Sequence, residues 1–312
     1  MESKVNEPYH IPALLGETID LLDINPSGVY VDCTFGGGGH SKAILSRLGP
    51  HGRLFSFDRD LDALANAPDD PRFTFVHGDF RFIRNYLKFY GVDKVNGILA
   101  DLGVSFHHFD TPERGFSFRA EAPLDMRMNR DGLVTAKTIV NTRTESELKE
   151  LLRNHTDLRN SGRIAAAICD ARKEKEIETT TQLAAIVEPL LNRNAYKKEL
   201  AQVFQALRIA TNDEMSALER LLLNAMRVLK PKGRMAVLTY HSGEDRMVKD
   251  FFKNGSFNPV ADRDALIYGT PKSPWKLITS SPVVASEKEV ELNPRSRSAK
   301  LRVAELVKPP KR

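Results

Sequence analysis

Short apolar runs alternate with longer amphipathic stretches through the first hundred residues. Val29–Cys33, Leu54–Phe57, Phe73–Val76 and Gly97–Ala100 are rich in β-branched or aromatic residues and bounded by turn-formers, the pattern of buried strands. Between them, Lys42–Leu48 and Leu61–Asn66 are long enough for crossover helices. Repeated βα units of this kind predict a parallel sheet with helices on both faces. After Asp101 the pattern changes. Residues 102–132 are dense in turn-formers, and from about 133 to 228 the period is helical. Thr144 and Glu147 form a capping box ahead of Leu148, Leu151 and Leu152 on one face. Ile164, Ile168 and Ala171 give a second amphipathic run, and a box from Thr179 to Gln182 opens a third through Leu183, Ile186, Val187, Leu190 and Leu191. Strand pattern returns at Arg234–Thr239, after Lys230-Pro-Lys-Gly233. The expected organisation is an α/β domain formed by residues 1–110 and 208–312, interrupted by a helical insertion at 111–207.

Composition narrows the class. The chain has 312 residues, 41% hydrophobic and 28% charged, which suits one large soluble domain or two. Its longest apolar runs, such as Leu221–Leu223, fall far short of the roughly 20 residues that cross a bilayer. The opening Met1-Glu-Ser-Lys lacks the layout of a signal peptide. Cys33 and Cys169, far apart, suggest neither a disulfide framework nor a zinc cluster. A cytoplasmic protein is expected. Net charge is +5, yet residues 293–312 hold seven basic side chains and one acid, so the rest is close to neutral. A basic end on a neutral body suits a polyanionic partner such as nucleic acid, with a merely solvated tail as the alternative.

The candidate chemistry begins at Val29-Tyr-Val-Asp-Cys-Thr-Phe-Gly-Gly-Gly-Gly-His40, which reads as strand, glycine loop and helix start. Glycines let the backbone approach a ligand closely, and a helix start offers free N–H groups. Asp58 ends the second strand twenty residues after Gly38, where nucleotide-binding α/β folds carry a carboxylate for ribose hydroxyls. This much fits either a nicotinamide dinucleotide or S-adenosyl-L-methionine, though Ser41 stands where the former expects a third glycine. The third strand leads into His77-Gly-Asp-Phe80, an acid and an aromatic where an adenine ring would lie.

With Asp101 at the end of strand four and Leu229-Lys-Pro-Lys-Gly233 before strand five, the set resembles a class I S-adenosylmethionine-dependent methyltransferase with a Rossmann-like sheet. A more specific resemblance rests on motifs spread along nearly the whole chain. They are His10-x-Pro12-x-Leu14-Leu15-x-Glu17, the Thr34–His40 loop, Glu113-Arg-Gly-Phe-Ser-Phe118, Pro123-Leu-Asp-Met-Arg-Met128, Phe204-Gln-Ala-Leu-Arg208, Asn212-Asp-Glu214 and Asn293-Pro-Arg-Ser-Arg-Ser-Ala-Lys-Leu-Arg302. In these the chain is similar to the bacterial small-subunit ribosomal RNA cytosine-N4 methyltransferases, the MraW family. The resemblance implies methylation of a cytidine N4 in the decoding region of 16S rRNA, on an assembled or nearly assembled small ribosomal subunit. It also implies cofactor contacts at Gly38, Gly39, His40, Asp58, Phe80, Asp101 and His108. Two departures stand out. The family usually reads Gly-Val-Ser-Ser-Pro-Gln-x-Asp where this chain has Gly103-Val-Ser-Phe-His-His-Phe-Asp110, so His108 replaces a glutamine and a proline is lost. Gly243 replaces a common leucine in Tyr240-His-Ser-Gly-Glu-Asp-Arg246.

Methyl transfer to an exocyclic amine is chiefly a positioning problem. Asp101 is a candidate acceptor for an amine proton, or else only a cofactor contact. His241, at the end of strand five, is a candidate proton relay or RNA contact. The alternative for His241 is a plain helix start, with Ser242 as N-cap and Glu244 and Asp245 in the first turn. In the methyltransferase topology the last strand is antiparallel, so Arg295 and Arg297 precede it beside the active edge, either facing RNA phosphates or paired internally. The insertion carries no RNA-binding signature and suits substrate recognition, a lid or a dimer interface. Oligomeric state is open, a homodimer included. The competing functions are a methyltransferase for DNA or a small molecule, a catalytically silent RNA-binding assembly factor, and, more distantly, a nicotinamide-dependent oxidoreductase.

Overall fold

The computed structural model describes residues 12–103, 109, 111–257 and 272–308. The chain divides into two compact units, Met1–Gly103 with Ser216–Arg312, and Val104–Met215. In the first, strands β1 (Val29–Asp32), β2 (Arg53–Asp58), β3 (Phe73–His77), β4 (Val95–Asp101), β5 (Leu229–Thr239), β6 (Trp275–Leu277), β7 (Val283–Val284) and β8 (Lys300–Leu306) form one sheet. Their order is β3-β2-β1-β4-β5-β8-β6, with β7 beside β8. Strands β1 to β5 are mutually parallel, and β8 is antiparallel to β5, β6 and β7. This is the class I, Rossmann-like arrangement expected from the sequence.

Successive strand residues point to opposite faces, and each face here is covered by helices. Val31, Phe55, Phe57, Ile98, Ala100, Met235 and Val237 pack with α3 (Ile83–Phe89), α9 (Glu214–Val228) and α10 (Ser242–Asn254). Their neighbours Tyr30, Leu54, Leu99, Ala236 and Leu238 pack with α1 (Leu15–Leu22) and α2 (Gly39–Arg47). Burial on both faces is why these strands read as apolar runs. Parallel pairing brings the ends of β1, β2, β4 and β5 to one edge, and the strand order reverses between β1 and β4. That reversal opens the crevice in which ligands of open α/β sheets bind.

Two expectations need correction. Leu61–Asn66 forms a single 3₁₀ segment capped by Asp60, which accepts from Asp62 N, in place of a crossover α-helix. Pro68 and Pro71 follow too soon for a longer helix. β5 begins at Leu229, before the expected Arg234, because a register irregularity between Val95 and Gly97 lets the strand carry Lys230–Gly233, with Lys232 at φ +66°.

The second unit is helical: α4 (Ala136–Thr142), α5 (Glu145–His155), α6 (Ser161–Glu174), α7 (Thr180–Val187) and α8 (Tyr196–Asn212). Both capping boxes form. The expected boundary at residue 208 falls inside α8, whose Leu200, Val203, Phe204 and Leu207 belong to the core of this unit. Several motifs of the resemblance interlock here. The buried Arg114 donates from Nη2 to the carbonyls of Arg127 (2.9 Å) and Met128 (3.1 Å). Asn212 accepts from Met128 N at 2.7 Å and donates to the Met126 carbonyl at 2.8 Å. Arg208 grips Glu214 through two bonds of 2.9 Å. Gly115, at φ +71°, lies so close to Pro123 that a Cβ would come within 2.2 Å of its carbonyl oxygen. Among the described residues, no helix is long and apolar enough to cross a membrane.

Candidate cofactor and active site

The glycine loop links β1 to α2 and is held from below by side chains. Gly36 and Gly38 adopt φ +50° and +76°, a region costly for any residue with a Cβ. Gly39 is required by space, since a Cβ there would sit 2.2 Å from Pro12 Cγ. Asp32, at the end of β1, accepts from Thr34 N at 3.0 Å through Oδ1 and from Ser41 Oγ at 2.6 Å through Oδ2. Ser41 Oγ in turn lies 2.7 Å from Ser56 Oγ. Burial pushes the Asp32 carboxyl up to about 7, against the opposing hydrogen bonds from Ser41 and Thr34. Thr34 Oγ1 accepts from Asp101 N at 2.7 Å and ties the loop to β4. Asp58 accepts from Gly36 N and from Asp60 N, both at 2.8 Å. Ser41, notable in the sequence only as a missing glycine, is therefore a buried link of the loop's support.

His40 enters this edge from α2. Its ring is buried, with Nδ1 3.6 Å from Asp101 Oδ2. Burial draws the imidazole pKa down, with Asp101 opposing, which favours a neutral ring. Burial raises the Asp101 carboxyl pKa, while His40, the Tyr240 hydroxyl and the Gly103 amide hold it down. Asp101 Oδ1 is buried and has no hydrogen-bond partner among the described residues. Tyr240, just past β5, has its phenol pKa pushed up by burial and by Asp101.

The other expected residues distribute as follows. Phe80 is half-buried at the end of β3, with the Arg59 guanidinium 5.4 Å from its ring centroid; Arg59 and Arg81 both pair with Asp79, at 2.8 and 2.6 Å. His108 lies outside the described residues. His241 is itself the N-cap of α10, replacing the expected Ser242, which is the first helical residue. Its Nδ1 accepts from Glu244 N at 3.4 Å, and its Nε2 stands 3.1 Å from Glu244 Oε1. Glu244 is buried and also accepts from Tyr240 N at 3.0 Å. Arg295 and Arg297 lie on an exposed 3₁₀ turn, Pro294–Ser298, immediately before β8. Since Lys300 pairs with Thr239, this turn is at the same sheet edge as Asp101. Arg297 makes no ion pair among the described residues, whereas Arg302 is bound to Asp245 at 2.6 Å. Sequence reasoning missed Asp32, Tyr240 and Glu244 as parts of the site. Asp32 was signalled by its place between strand and glycine loop; the other two depend on contacts that only the folded sheet edge creates.

The sequence profile of the MraW methylase family matches residues 7–307. A relative from Phocaeicola vulgatus, named ribosomal RNA small subunit methyltransferase H, is 52% identical over 303 residues, covering 97% of this chain and 99% of that protein. A protein of the same name from Parabacteroides distasonis is 50% identical over 308 residues, covering 98% and 100%. Among solved structures, a rRNA methylase from Streptococcus thermophilus aligns over 96% of this chain and 99% of its own, at 10% identity and a TM-score of 0.39, a likeness too distant to add to these. With half the residues shared over nearly its whole length, and a profile match from residue 7 to residue 307, the chain belongs to the MraW methylase family.

Proposed function

We propose that this protein is an S-adenosyl-L-methionine-dependent methyltransferase that modifies N4 of a cytidine in the decoding region of 16S rRNA, within the small ribosomal subunit. The observation that carries the reading is the meeting of the glycine loop, Asp58 and Asp101 at one sheet edge, in a chain half-identical to ribosomal RNA small subunit methyltransferases. The loop fits the cofactor. Its backbone at Gly36 and Gly38 adopts conformations that only glycine takes easily, and Asp58 offers a carboxylate for sugar hydroxyls. Gly38, Gly39, His40, Asp58, Phe80 and Asp101 are the residues that would hold it. When bound, it supplies an electrophilic methyl group on a sulfonium sulfur.

The chain's own task is to bring a weak nucleophile into line and to receive a proton. Asp101 is the acceptor we assign, because it ends β4 where the strand order reverses and its Oδ1 has no hydrogen-bond partner among the described residues. His241 accepts from Glu244 N through Nδ1 as the N-cap of α10, which supports a helix-capping role. The exposed turn with Arg295 and Arg297 suits contact with RNA phosphates beside the reacting base.

The decisive experiment is mass mapping of modified nucleosides in ribosomal RNA from cells with and without this protein. Loss of a single N4-methylated cytidine in 16S rRNA is expected. An unchanged 16S pattern, together with methyl transfer from tritiated cofactor to DNA or to a metabolite pool, would overturn the substrate assignment.

A further inference from the structure

The helix that leads into Asn293-Pro-Arg reaches back to the Pro12-x-Leu14 motif near the other end of the chain. Leu14 N donates to Glu289 Oε1 at 2.7 Å, across 275 positions of sequence. Leu14 is fully buried and is the N-cap of α1, at φ 52° and ψ 37°, a left-handed conformation rare for a residue with a branched side chain. A buried backbone N–H needs an acceptor, and Glu289 supplies it. Glu289 is itself firmly placed. It stands in the short helix α11 (Glu287–Leu292), capped by Ser286, whose Oγ accepts from Glu289 N at 3.2 Å. The Glu289 carbonyl accepts from Asn293 N at 2.7 Å, and Asn293 leads through the turn Pro294–Ser298 into β8.

We propose that Glu289 is a positioning residue for the cofactor, acting through the strap Pro12–Leu14. The proposal rests on the methyltransferase reading above and adds to it a residue outside the glycine loop. Pro12 fills the place of the side chain that Gly39 lacks: a Cβ there would fall 2.2 Å from Pro12 Cγ and 2.9 Å from Cδ. Gly39 opens α2, and with Gly38 it belongs to the set assigned to the cofactor. The path from Pro12 into α1 is set by the left-handed turn at Leu14, and that turn is held by the bond to Glu289. Without the acceptor, Leu14 relaxes toward an ordinary backbone conformation and Pro12 withdraws from Gly39. Cofactor binding must then order the loop as well as occupy it, and affinity falls by that cost.

The other supports of the loop leave this part to the strap. Asp58 holds Gly36 N, and Asp32 holds Thr34 N and the Ser41 hydroxyl. At Gly39, between these anchors, the neighbour that a side chain would meet is Pro12.

The test is calorimetric titration of S-adenosylmethionine into wild type, Glu289→Ala, Glu289→Gln, Pro12→Ala and the double variant Glu289→Ala/Pro12→Ala. A melting curve for each keeps the titrations well below the unfolding range. Glu289→Ala should bind roughly five- to ten-fold more weakly, the worth of one hydrogen bond. Glu289→Gln keeps an oxygen acceptor in the same place and should bind as wild type does. Pro12→Ala leaves the bond from Leu14 to Glu289 intact and should weaken binding by a similar factor; it reads the strap even where Glu289→Ala fails to fold. Because both residues act along one path, the double variant should lose no more than the worse of the two single variants. Wild-type affinity in Glu289→Ala or in Pro12→Ala would overturn the proposal, and a lowered melting temperature alone would leave Glu289 a structural tie. Losses that add in full, or a Glu289→Gln as weak as Glu289→Ala, would overturn it equally. A wild-type protein that binds no S-adenosylmethionine would instead refute the cofactor reading, and this proposal with it.

Discussion

Asp58 has two partners whose loss can be told apart. Its carboxylate holds the N–H groups of Gly36 and Asp60, and it stands where cofactor hydroxyls are expected. Asp58→Ala should weaken S-adenosylmethionine by ~10- to 100-fold, since hydrogen bonds to a charged group are worth roughly 1.5–3 kcal/mol. It should also lower the melting temperature, because Gly36 N–H loses its acceptor. Calorimetry showing a softened protein with wild-type affinity would leave Asp58 only the loop. Asp32 offers a pH test. Its carboxyl is pushed up to about 7 by burial, above the ordinary value of an unfolded carboxylate. The native state therefore holds this proton more tightly than the unfolded state does. The stability it contributes is fully present below the unfolded pKa and is lost as pH rises through about 7. Asp32→Asn should flatten that decline; thermal melts from acid to neutral pH with the same slope as wild type would count against the assignment. At this scale the sequence was legible where spacing along one strand–loop–helix unit defines a residue, as for Asp58. It was silent where a residue acts across strands, as for Tyr240 and Glu244.

The elements were legible wherever two-sided burial or a local cap decides them. β1 through β4 fall within a residue or two of expectation because each is packed on both faces. α5 starts where its box predicts: Glu147 Oε2 accepts from Thr144 N at 2.7 Å, and Thr144 Oγ1 accepts from Glu147 N at 3.3 Å. The 3₁₀ segment after β2 and the early start of β5 were not legible, because proline spacing and a sheet irregularity, not periodicity, set them. The expected boundary at 208 lies within α8, and a chain position alone does not say which core that helix joins. Thr144→Ala tests the local logic. Losing an N-cap side chain costs about 1 kcal/mol, so the denaturation midpoint should fall while cofactor affinity stays at the wild-type value. A midpoint equal to wild type would show that tertiary packing alone fixes the start of α5.

For the whole molecule, the question is whether the basic end of the chain is an ion-pair scaffold or an RNA contact, and the two arginine classes at the sheet edge answer differently. Arg302, inside β8, is nearly buried and clasped by Asp245, with Lys300 3.7 Å from the same carboxylate. Those cations stabilise the fold. Arg297, on the turn before β8, is exposed and makes no ion pair among the described residues. A charge placed this way adds little to stability but is available to a polyanion. If the turn meets RNA phosphates, Arg297→Ala should keep wild-type melting and cofactor affinity, weaken binding to small subunits, and reduce its salt dependence. Each lost phosphate contact lowers the slope of log K against log salt concentration by about 0.7–0.9. Arg302→Ala serves as the contrast: it leaves Asp245 short of its main partner and should melt earlier. A salt titration of subunit binding beside melting curves for both variants separates the roles. An Arg297→Ala protein whose salt slope equals that of wild type would remove this turn from the RNA interface, and the net charge of the chain end would then serve only its solvation.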